Sequence, residues 1–177
     1  MLVEAGLLLV RPSGRQRRYA LAGRDVAQAL EALGRLAPDD AQREVRSLRQ
    51  SREQRELAGA RLCYDHLAGR LGVALTDALV ADRWLTGGDL RLTRLGRSGF
   101  GDLGVDVPAL EAARRPLTRS CDDWTERRPH LAGALGAALA TTALDRGWVR
   151  RRATGRGLDV TPAGHRALVR TWSVALD

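Results

Sequence analysis

The chain has 177 residues, with 29 basic against 21 acidic side chains and a formal net charge of +8. That length can bury a real core as one domain or two small ones, and no stretch approaches the ~18 apolar residues of a membrane span. Every basic residue is arginine and none is lysine, the mark of a GC-rich genome, so net charge alone argues weakly for a nucleic-acid partner and only local clustering informs.

Met1–Val10 carries Glu4 inside its apolar run and its arginines after it, the wrong order for a signal peptide. Two cysteines in a chain of this length make no disulfide framework. The expected compartment is the cytoplasm, where both remain thiols.

In chain order, Leu2–Ala5 reads as a helix tail. Leu7–Val10 and Tyr19–Ala22 flank a turn with Pro12, Ser13 and Gly14, which predicts a β-hairpin. Arg11, Arg15, Arg17 and Arg18 crowd its tip with no acid among them, as a surface that touches phosphate would. A helix over 25–36 follows, with Val26, Leu30, Leu33 and Leu36 along one face, suited to a dimer contact or to a core. Pro38 ends it, and Asp39 or Asp40 is a good N-cap for the next helix, which runs to about Ala60 with Val45 and Leu48 as its apolar positions. That helix is polar from Arg49 to Glu56, with Arg49/Glu53 and Arg52/Glu56 spaced for pairing, and reads as a connector.

Beyond it lies an internal repeat. Residues 66–85 and 130–149 agree at nine of twenty positions, including His66/His130, Gly69/Gly133, Gly72/Gly136 and Trp84/Trp148. Each copy predicts an Ala/Leu-rich helix, opened in the second by Pro129, then strand, Gly-containing turn, strand and a helix beginning near a threonine. Asp106 caps a short helix between the copies, Asp123 and Glu126 have capping-box spacing, and 161–174 is a last helix. Trp84, Trp148 and Trp172 are core anchors. Arg150, Arg151, Arg152 and Arg156 form a second cluster at a turn, a weaker candidate for nucleic acid.

The stretch "LVEAGLLLVRPSGRQRRYALAG" resembles the end of the recognition helix and the wing of ArsR/SmtB-type bacterial transcription regulators, and "RDVAQALEALGRL" resembles the helix after it. "CYDHLAGRLGVALTDAL" and "CDDWTERRPHLAGALGAAL" are similar to a C-terminal extension in one branch of that family. The resemblance implies a winged helix-turn-helix regulator, a homodimer on double-stranded DNA, with Arg11, Arg15, Arg17 and Arg18 contacting the backbone. Met1 stands where the last turn of the recognition helix falls in the family, which implies a start upstream. The fold expected is mainly α with short β-hairpins (α+β): a partial winged helix (1–37), a connecting helix (38–60) and winged-helix-like repeats at 61–120 and 121–177. The rival reading is a dimerisation or ligand-sensing module that does not bind DNA.

Cys63 and His66 are spaced i,i+3, one face of a helix, and Cys121 precedes His130. If the copies pack about a pseudo-twofold, Cys63, His66, Cys121 and His130 converge on a tetrahedral site for zinc or another thiophilic ion, with Asp65, Asp122 and Asp123 behind. Otherwise the histidines pack helix ends and the cysteines fill core space. Cys63, Asp65 and His66 lie too close in sequence to form a catalytic triad, and no phosphate-binding glycine loop or dinucleotide fingerprint is present. The chain reads as no enzyme.

Overall fold

The structure is a computed structural model, and it describes residues 1–14, 16–36, 48–153 and 155–176. Arg15, Pro38, Asp39, Asp40 and Val45, and the side chains of Leu48, Arg49 and Glu53, lie outside the described residues.

Met1–Ala5 make a single turn closed by Gly6 at φ 69°. Leu7 N–H donates to Leu2 O and Gly6 N–H to Val3 O, both at 3.0 Å, the paired bonds that end a helix at a left-handed glycine. Strands β1 (Leu8–Ser13) and β2 (Gln16–Leu21) form the predicted basic hairpin, with Arg11 opposite Arg18 and Pro12 opposite Arg17. Helix α1 (Arg24–Leu36) leaves it. Its predicted apolar stripe is not a core face: Leu30, Leu33 and Leu36 are exposed, and Ala27 and Glu31 are the buried positions. α1 is held inward by charge pairs and small residues instead.

Helix α2 (Leu48–Gly59) leads into two units of one plan. The first runs β3 (Arg61–Cys63), β4 (His66–Ala68), α3 (Gly69–Ala81), a turn bridged once between Leu85 and Leu92, and α4 (Arg94–Asp102). After α5 (Val107–Ala112) the second runs β5 (Arg119–Asp122), β6 (Pro129–Ala132), α6 (Gly133–Asp145), β7 (Val149–Arg151), β8 (Leu158–Val160) and α7 (Pro162–Trp172). The architecture is α+β, helices with short antiparallel hairpins, as the winged-helix-like reading requires. Among the described residues no helix is long and apolar enough to cross a membrane.

The structure corrects the repeat helices at their starts. His66–Ala68 and Pro129–Ala132 are strands, and the helices begin at Gly69 and Gly133. Both glycines have positive φ, 74° and 86°, with a backbone carbonyl 2.7 Å from where a Cβ would stand. Only glycine turns the chain from strand into helix in that space. The Asp123/Glu126 capping box likewise opens no helix. Asp123 Oδ1 accepts from Thr125 N–H and Glu126 N–H and closes the β5–β6 loop. The first unit's second hairpin is also reduced from the expected two strands to its single bridge.

The units pack crosswise, α3 on β6 and α6 on β4. A Cβ at Gly72 would stand 2.4 Å from Leu67 O and 3.6 Å from the His130 Cβ; at Gly136 it would stand 2.5 Å from Leu131 O and 3.4 Å from the His66 Cβ. Matching caps continue the correspondence past the aligned repeat. Thr93 and Thr161 cap α4 and α7 by accepting from Gly96 and Gly164 N–H, each at 3.0 Å. Their hydroxyls donate to the carbonyls of Arg83 and Gly147, each at 2.6 Å. Trp172 packs edge-on against both repeat tryptophans, 5.8 Å from Trp84 and 6.0 Å from Trp148, and anchors the shared core.

Candidate functional site

Crosswise packing brings two hairpins to one point. In β3–β4 Cys63 faces His66, and in β5–β6 Cys121 faces His130. The helical i,i+3 reading of Cys63 and His66 is therefore corrected: they are cross-strand neighbours joined by a two-residue turn, Tyr64-Asp65, with Tyr64 at φ 60°. The four residues nonetheless come together, because one ligand atom from each lies within 4.8 Å of the others.

The two sulfurs are 4.0 Å apart and the two Nε2 atoms 3.1 Å. Around a tetrahedral ion with zinc's bond lengths, two sulfurs stand about 3.8 Å apart and two nitrogens about 3.3 Å. The sulfur–sulfur and nitrogen–nitrogen distances are thus close to two opposite edges of a coordination tetrahedron. His66, His130 and Cys63 are buried and Cys121 is half-buried.

Each imidazole backs onto a carboxylate. His66 Nδ1 lies 3.2 Å from Asp65 Oδ1. His130 Nδ1 faces Asp123 Oδ2 at 3.4 Å, too long for a good hydrogen bond, and this buried nitrogen makes none. With hydrogens on both Nδ1 atoms, the two Nε2 lone pairs point at each other across 3.1 Å. That contact is repulsive unless a proton or a metal ion lies between them, and the carboxylate behind each ring is the usual support of a metal-binding histidine. Asp122, the third acid expected nearby, is exposed on β5.

Arginines fix both carboxylates. Arg115 grips Asp65 with two bonds, 2.7 and 3.1 Å, and Arg24 of α1 approaches it at 3.8 Å. Burial pushes the Asp65 pKa up, but the hydrogen bonds from His66 and Arg115 outweigh it and hold the carboxyl well below the usual range. Asp123, fully buried, accepts from Arg61 at 2.8 Å and from Gly69 N–H at 2.6 Å. Burial again pushes up, and the Arg61 charge, the Thr125 hydroxyl and the Gly69 N–H bring it well below. Burial also disfavours charge on His66, yet its bonds to Asp65 and Cys121 raise its pKa. The Cys63 thiol, hydrogen-bonded to Cys121 and buried, is pushed up. Cys121 accepts that bond, which outweighs burial and with His130 and His66 pulls its pKa down. The two sulfurs share one hydrogen bond and titrate as a pair, with negative charge favoured on Cys121 over Cys63.

Arg61 was not legible as a site residue. It is fully buried, bonded to Asp123, Leu57 O and Thr125 Oγ1, set 5.0 Å from the Trp124 ring, and 3.8 Å from the buried Glu31 of α1. Arg156 binds Glu31 from the other side at 2.8 Å.

The basic hairpin is a separate surface. Arg11, Arg17 and Arg18 are exposed, and among the described residues no carboxylate pairs with them. Arg15 lies outside the described residues. The second arginine cluster differs: Arg152 pairs with Glu56 and Asp159, Arg150 with Asp159, and Arg156 with Glu31. Three of its four guanidiniums are engaged within the molecule.

A basic hairpin followed by a helix, joined to paired winged-helix-like units, is a construction that fits a transcription regulator. The chain belongs to the HTH-type transcriptional regulators: over 165 residues it is 40% identical to the uncharacterized HTH-type transcriptional regulator YdfF of Bacillus subtilis (strain 168). The match spans 92% of this chain and 72% of that one. No protein-family model and no solved structure matches the chain.

Proposed function

We propose that this chain is a cytoplasmic DNA-binding regulator of the ArsR/SmtB type that takes its signal through a metal ion held in the C-terminal tandem repeat, and that it is not an enzyme. The observation that carries the sensing half is the meeting of Cys63, His66, Cys121 and His130 within 4.8 Å of one another, two donors from each repeat copy. Two sulfurs with two imidazole nitrogens suit zinc or a similar thiophilic ion. When bound, such an ion supplies a cross-link between the two hairpins. The chain's own part is to present two sulfur donors, with charge favoured on Cys121, to orient both rings through Asp65 and Asp123, and to limit water by burial.

For DNA, the exposed Arg11, Arg17 and Arg18, with no carboxylate on them among the described residues, support backbone contact, which sets position and orientation without reading sequence. Arg11, Arg15, Arg17 and Arg18 reach phosphates of a duplex. The exposed Leu30, Leu33 and Leu36 of α1 are the face offered to a second copy in a homodimer.

Two experiments test the halves separately. Metal analysis of the purified chain gives about one ion per chain; Cys63→Ser with Cys121→Ser reduces this to none, and unchanged metal content in that double variant refutes the centre. Duplex binding across a salt series gives a slope that shrinks by about 1 for each phosphate-contacting wing arginine replaced by glutamine. An unaltered slope in the fourfold variant instead favours an interaction module with no DNA contact.

A further inference from the structure

Two chains of charged contacts run from the candidate metal centre to the helix that carries the wing, one from each histidine. His66 Nδ1 meets Asp65 at 3.2 Å, and Asp65 meets Arg24 at 3.8 Å. Arg24 is the first residue of α1, three positions beyond the end of β2. On the other side His130 Nδ1 faces Asp123 at 3.4 Å, Asp123 binds Arg61 at 2.8 Å, and Arg61 stands 3.8 Å from Glu31, two turns further along α1. Both chains alternate acid and base, and Arg61, Asp123 and Glu31 are buried, where such contacts are weakly screened.

α1 is otherwise held by small contacts and one further ion pair: Gly34 packs close against Trp124, and Arg156 binds Glu31 at 2.8 Å. Of its larger apolar residues Val26 is half-buried and Leu30, Leu33 and Leu36 are exposed, and Ala27 is its buried aliphatic side chain. Its seat on the repeats therefore depends in part on the placement of Asp65, Asp123 and Arg61, which pack behind the two histidine rings, beside the Arg156–Glu31 pair that is independent of them. We propose that occupancy of the Cys63/His66/Cys121/His130 centre is coupled to the seating of α1, and through it to the wing, by the His66–Asp65–Arg24 and His130–Asp123–Arg61–Glu31 contacts. The proposal rests on the metal reading and adds the route by which the signal leaves the site.

Ligation requires both Nε2 atoms to turn to one point, which fixes both Nδ1 atoms on their carboxylates. Without an ion the two Nε2 atoms stay together only where a proton lies between them; otherwise they oppose each other, and one ring gains by turning away from its carboxylate. One contact chain then loosens and α1 loses part of its seat. The two states differ in one ring and one set of ion pairs, a discrete element that the metal biases by binding one state more tightly.

The test is hydrogen exchange of α1 amides in the full chain, with zinc and with zinc removed by chelation, beside zinc affinity measured by chelator competition. In the wild type zinc slows exchange over 24–36 by on the order of tenfold, within the usual range of coupling between sites. In Arg24→Gln with Glu31→Gln, zinc still binds one per chain, and exchange of α1 is the same with and without it. Arg24→Gln alone, at a partly exposed position, loses the zinc effect in the first turn of α1 and keeps it around Glu31. A double variant with the full zinc-dependent protection overturns the route. A wild type that binds zinc with no change in α1 overturns the coupling and leaves the metal centre standing, and one that binds no zinc removes both.

Discussion

Replacing Asp123 by asparagine tests the support of the site most severely. Asp123 is fully buried and accepts from Arg61 at 2.8 Å, Gly69 N–H at 2.6 Å, Thr125 N–H at 2.9 Å, the Thr125 hydroxyl at 2.6 Å and Glu126 N–H at 3.1 Å. Asparagine keeps the acceptor at Oδ1. At Oδ2 it sets an amide donor against the Gly69 N–H, and it removes the charge opposite Arg61. Breaking a buried ion pair from one side costs about 3–5 kcal/mol; the orphaned N–H adds to this, while Glu31 near Arg61 offsets part. A net loss of ~3–5 kcal/mol lowers Tm by about 6–20 °C in a chain of this size. Thermal and urea unfolding followed by tryptophan fluorescence measure it. The pH dependence has a fixed sign. A carboxyl whose pKa is lowered on folding adds stability that is whole above its unfolded value of about 3.9 and is lost as pH falls below it. The gap between wild type and Asp123→Asn therefore narrows below about pH 4. A Tm drop under about 2 °C at pH 7 refutes the claim that Arg61 and the β5–β6 loop depend on this carboxylate.

Gly72→Ala and Gly136→Ala each place a Cβ within 2.5 Å of a strand carbonyl, so each destabilises by about 1–3 kcal/mol despite alanine's better helix propensity. Similar losses in denaturant unfolding are expected from the two, since they occupy equivalent places in the pseudo-twofold. Thr93→Ala and Thr161→Ala each remove a cap and cost about 1 kcal/mol by the same measurement; a loss at one site and none at the other contradicts the equivalence. Arg152→Ala, which breaks contacts with Glu56 and Asp159, lowers Tm and leaves the salt slope of DNA binding unchanged, the reverse of a wing substitution.

The most telling residues in the sequence are the repeated ones. His66 and His130 recur at an offset of 64, and a repeat that packs on itself brings equivalent positions together, so the two histidines can be grouped from the sequence; the cysteines are offset by 58 and do not recur in the aligned repeat, and it is the hairpin register that sets each opposite its histidine. The strands preceding α3 and α6 are hidden because His-Leu-Ala-Gly reads as helix by propensity, and two of the strands have only three residues. The signal is the glycine, placed where a strand must turn into a helix at positive φ. The Arg61–Asp123–Glu31 network is hidden for another reason. Twenty-nine arginines make any single one look like surface, and Asp123 stands at capping-box spacing from Glu126, so a buried pair reads as a helix start. On α1 the heptad-like leucines mark the face that the fold leaves open, while Ala27 and Glu31, which touch the repeats, carry no pattern.

Titration of the metal-free chain with cobalt(II), read in the visible spectrum, tests the Cys2His2 centre most directly, because band intensity reports tetrahedral coordination and sulfur-to-cobalt charge transfer reports thiolate ligands. An intense tetrahedral spectrum is expected, saturating at about one ion per chain, displaced by zinc and lost in Cys63→Ser with Cys121→Ser. A weak octahedral spectrum, or one that survives the double substitution, contradicts the centre.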